Sequence, residues 1–138
     1  MIEIVTHGFF VGAPHDVGAA GALLRSDGEE LARLQQRHGA GPVRSGLGAE
    51  LAILSKALRW ALERGDGGEA VIVRTGLGSL AAACRSGGKA PPPDLREPLA
   101  ELETLAREFA EIRAVVSPGW VTALAQDLAL RSILGRDR

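Results

Sequence analysis

A glycine-punctuated run, Gly76-Leu77-Gly78-Ser79-Leu80-Ala81, follows the apolar stretch Val71-Ile72-Val73 and precedes a segment of helical composition. This is the G-x-G-x-x-A spacing with which a strand–turn–helix unit brings backbone N–H groups up to a dinucleotide pyrophosphate. The fingerprint also needs to open a βαβ unit and to be followed by an acidic residue at the end of the next strand. Here three strand-like segments come first, and the nearby carboxylate, Asp94, falls in a proline-rich loop. The spacing alone therefore does not make a cofactor site, and no organic cofactor is expected. Cys84 is the only cysteine, so no internal disulfide can form; in its apolar run it reads as a small buried hydrophobe. Glu50 stands at the start of the clearest helical pattern. A carboxylate there is favoured by the helix dipole, so it reads either as a helix-start residue or as a working catalytic group.

The elements that would position these residues can be read from periodicity. Ile2 to Phe10 and Val17 to Arg25 are β-rich, the second made of small residues. Ser26-Asp27-Gly28 is a hairpin turn. Glu29 to His38 has helix-forming composition, but the short turn that joins it to a strand makes a third strand the better reading. A glycine-rich loop over Gly39 to Gly48 precedes a helix over Ala49 to Arg64, where Leu51, Leu54, Leu58, Ala61 and Leu62 recur at helical spacing and Gly65 stops it. Glu69 to Thr75 suits a central strand, Leu77 to Arg85 a short helix, Gly87 to Pro98 a loop and Leu99 to Phe109 a second long helix. Ile112 to Ser117 follows as a strand and Val121 to Leu134 as a final helix. The order β-β-β-α-β-α-α-β-α predicts an α/β fold. It has one five-stranded mixed sheet, three antiparallel strands then parallel crossovers, with helices on both faces. A single domain spans residues 1–138, a length that can bury a core without metal or disulfide staples.

Sixteen Lys and Arg against 17 Asp and Glu give a formal net charge of −1, so composition supplies no general attraction to phosphate backbones. The opening Met1-Ile2-Glu3-Ile4-Val5 enters a strand pattern directly, and no stretch reads as a membrane span. A soluble, cytoplasmic protein is expected.

The order of elements and several local phrases resemble the ribonuclease H family. Thr6-His7-Gly8 stands where the family has Thr-Asp-Gly, and Gly12-Ala13-Pro14 is similar to its Gly-Asn-Pro turn. Gly18-Ala19-Ala20-Gly21-Ala22 is similar to its glycine-rich second strand. Ala49-Glu50-Leu51-Ala52-Ile53-Leu54 resembles its Ala-Glu-Leu helix start. Val71-Ile72-Val73-Arg74-Thr75-Gly76-Leu77 stands where a family strand ends in Asp-Ser. Val116-Ser117-Pro118 through Ala125-Gln126-Asp127-Leu128-Ala129 resembles its last strand, loop and Ala-Asp-x-Leu-Ala helix.

What the resemblance implies is hydrolysis of the RNA strand of RNA–DNA hybrids by two Mg²⁺ or Mn²⁺ ions, held by four carboxylates from different elements. At those four positions this chain has His7, Glu50, Gly76 and Gln126. Asp127 takes the last position only if the register slips by one, which on a helix turns the side chain by about 100°. Neutral imidazole is a poor Mg²⁺ ligand. Ser45-Gly46-Leu47-Gly48 also replaces the family's Thr-Asn-Asn run, and Leu77 replaces the serine beside the third aspartate. The favoured expectation is a catalytically inactive member of the fold that binds a protein partner or a second copy of itself. Phe9, Phe10, Leu47, Leu77 and Trp120 would then form an apolar face where the catalytic one stood. Two alternatives stand beside it. One is an active or weakly active nuclease using His7, Glu50 and Asp127, with Glu50 and Asp127 as metal ligands. The other is a non-catalytic binder of nucleic acid. The charged helix residues (Arg59, Glu63, Arg64, Glu101, Glu103, Arg107, Glu108 and Glu111) read as solvated faces.

Overall fold

The computed structural model describes residues 1–13, 15–39, 45–76, 80 and 95–134. Three long strands, β1 (Ile2–Val11), β2 (Val17–Ser26) and β3 (Glu29–His38), are followed by α1 (Gly46–Arg64) and β4 (Ala70–Thr75). Then come α2 (Arg96–Ala106), β5 (Glu111–Val116) and α3 (Gly119–Leu134). The sheet has the order β3-β2-β1-β4-β5. Its first three strands are antiparallel, and β4 and β5 join parallel to β1. This is the five-stranded mixed sheet expected. The short helix anticipated over Leu77 to Arg85 lies outside the described residues apart from Leu80, and so does Cys84.

The β2–β3 hairpin turns on Asp27 (φ 51°) and Gly28 (φ 80°). Positive φ at both central residues gives the connection whose twist matches two antiparallel strands. It forces Glu29–His38 to be a strand despite its helix-forming residues. Leu31 and Leu34 are three apart, a spacing that puts side chains on opposite faces of a regular strand. A register shift at Leu24/Arg25 inserts Leu31 as an extra residue, and Leu31, Ala32 and Leu34 all pack against the core.

Strand β2 is buried along nearly its whole length because helices cover both of its faces. Ala20, Ala22 and Leu24 join Ile2, Ile4, Val71 and Val73 in a core under α1 and α2. On the other face Val5 and Leu23 pack on Ala125 of α3. A Cβ at Gly21 would come within 2.3 Å of the Ala125 carbonyl oxygen and 2.7 Å of the Leu128 Cβ, so only glycine lets α3 lie this close.

Helix α1 begins at Gly46, three residues before the apolar pattern shows it. The Ser45 hydroxyl caps it by accepting from the Gly48 amide at 2.9 Å. It ends at Gly65, whose φ of 100° is the left-handed conformation of a helix stop. Helix α2 runs from Arg96 to Ala106 rather than from Leu99 to Phe109. Pro98 sits in its first turn, where a missing N–H leaves no bond unmade. Phe109 instead buries its ring beyond the helix end, and Glu111, expected on a helix face, opens β5.

Candidate functional site

The carboxyl-terminal end of β4 lies beside the middle of β1, with Thr6 opposite Thr75 in the parallel register. The start of α1 rests on them. A Cβ at Gly8 would fall 2.7 Å from the Glu50 Cγ, 2.8 Å from the Glu50 amide nitrogen and 3.1 Å from the Gly46 carbonyl oxygen. Gly8 therefore sets how closely the first turn of α1 approaches β1, and that approach carries Glu50 inward. Its side chain is 1% exposed. The Thr6 hydroxyl donates to Glu50 Oε1 at 2.5 Å and the Thr75 hydroxyl to the same oxygen at 2.8 Å. Burial pushes the Glu50 carboxyl above its ordinary range, and the two threonine bonds only partly oppose that.

The other positions do not converge on this carboxyl. Residues directly opposite in an antiparallel pair project to the same face, and His7 pairs with Gly21, whose missing side chain points at α3. Alternation along β1 thus turns Thr6 and Gly8 toward α1 and His7 toward the α3 side. There His7 lies half-buried against Phe9, ring centroids 6.2 Å apart, with its pKa lowered by burial. Gly76 is exposed, and a Cβ added to it would meet nothing within 4 Å. Gln126 is exposed on α3. Asp127 forms an ion pair with Arg131 one turn further along, at 2.9 Å. Among the described residues no group of three or more His, Cys, Asp and Glu is placed to hold a metal ion.

This donor set does not fit a pair of Mg²⁺ ions. Such ions need several carboxylate oxygens facing a common, hydrated point. Here the carboxylate that matches the resemblance is buried and shared by two hydroxyls, and the nearest acidic side chain on α3 is engaged with arginine. Thr6, Thr75 and Gly8 were not singled out from the sequence as parts of the site. The available signal was a threonine immediately before each of the key positions 7 and 76.

The expected apolar face is dispersed. Leu47 packs against the main core, Phe9 and Phe10 are each half-buried, and Trp120 is 82% exposed. Leu77 lies outside the described residues. Among the described residues no helix is long and apolar enough to cross a membrane.

No family model and no curated protein matches the chain. Solved structures do. Ribonuclease H1 from the archaeon Halobacterium salinarum superposes with a TM-score of 0.81 at 20% identity, covering 97% of this chain and 98% of that one. LC11 ribonuclease H1, solved in complex with an RNA/DNA hybrid, gives 0.81 at 22% identity over 97% and 99%. The N-terminal ribonuclease H domain of a Mycobacterium tuberculosis protein gives 0.79 at 18% identity over 99% and 96%. Matched over nearly the full length of each, this chain has the ribonuclease H fold.

Proposed function

We propose that this chain is a catalytically inactive, cytoplasmic ribonuclease H-fold protein that acts by binding. The observation that carries the reading is the state of Glu50. Its carboxyl is buried beneath Gly8 and shared by Thr6 and Thr75, while the other three positions offer imidazole, no side chain and amide. A buried carboxyl whose Oε1 bridges two strands acts as a structural fastener, because that oxygen serves the protein. Hybrid cleavage is the competing reading, supported by likeness to nucleases, but the donor chemistry does not favour it.

The test is cleavage of a labelled RNA–DNA hybrid with Mg²⁺ or Mn²⁺. Wild-type protein is expected to leave the RNA strand intact. Cleavage by wild type that Glu50→Gln abolishes would overturn the proposal.

A further inference from the structure

We draw no further inference here: the strongest candidate, the outer face of α3, where Trp120, Leu130 and Leu134 stand exposed beside the Asp127–Arg131 ion pair, is an unpartnered surface, and nothing in the structure shows what covers it.

Discussion

Helices α1 and α3 cover opposite faces of one sheet and finish their outer sides differently. Helix α1 buries Leu51, Leu54 and Leu58 inward and turns Arg59, Glu63 and Arg64 to solvent. Arg59 reaches across to pair with Glu101 of α2, and Arg64 lies over the Trp60 ring. Helix α3 packs inward with smaller side chains, Ala125 and Ala129 among them, against a strand whose Gly21 has none, and leaves Trp120, Leu130 and Leu134 outside. An amphipathic helix is complete once its apolar stripe is covered; α3 keeps apolar residues on its outer side among Gln126, Asp127 and Arg131. The contrast separates a helix whose outer face is charged from one whose outer face keeps large apolar side chains beside the Asp127–Arg131 pair.

Truncation should expose this difference most strongly. Leu54→Ala on α1 is expected to destabilise the protein by about 3 kcal/mol, through lost transfer energy plus an unfilled cavity. Leu130→Ala on α3, measured in dilute solution, should stay within about 0.5 kcal/mol. Chemical denaturation of the two variants checks the pair, and equal losses would dissolve the contrast. Next in size is Gly21→Ala. Its methyl must displace the backbone of α3 at Ala125, at a cost of about 2 kcal/mol. A thermal midpoint unchanged from wild type would mean that α3 does not sit this close.

The smallest effect concerns Glu50 and depends on pH. Its folded pKa is raised above the ordinary value of 4.5. The stability it contributes is therefore fully present below that value and lost as pH climbs through the raised one. The half-buried His7 and His38 act with the opposite sign. Their pKa values are lowered from 6.5, so their contribution is present above 6.5 and lost as pH falls. Glu50→Gln keeps an oxygen for Thr6 and Thr75 but does not titrate. The variant should gain on wild type as pH rises from 4.5 toward neutrality. Thermal midpoints across that range provide the check, and a difference that stays flat with pH would show that Glu50 is not held in its raised state.

Much of the fold was legible because local rules and global packing agreed. The Asp27-Gly28 turn, the small residues of β2 and the helical leucines of α1 each state their element in a few residues. Where boundaries shifted, the deciding group lay outside the apolar pattern. Ser45 caps α1 through a hydroxyl, and Pro98 enters the first turn of α2 because no amide is needed there. Leu31 reaches the core through a bulge, which no periodicity announces.

The candidate site divides in the same way. Residue types alone determined that positions 7, 76 and 126 carry no carboxylate, since a side chain that is absent cannot be supplied by folding. Only the tertiary structure decided the condition of Glu50. Gly8 admits α1 against β1, the parallel register sets Thr6 beside Thr75, and their hydroxyls hold the carboxyl inside. The outward leucines of α3 were likewise visible as letters, but which side of that helix meets the sheet is fixed by contact with Gly21 and Leu23. A helix with little amphipathic contrast does not encode its own orientation.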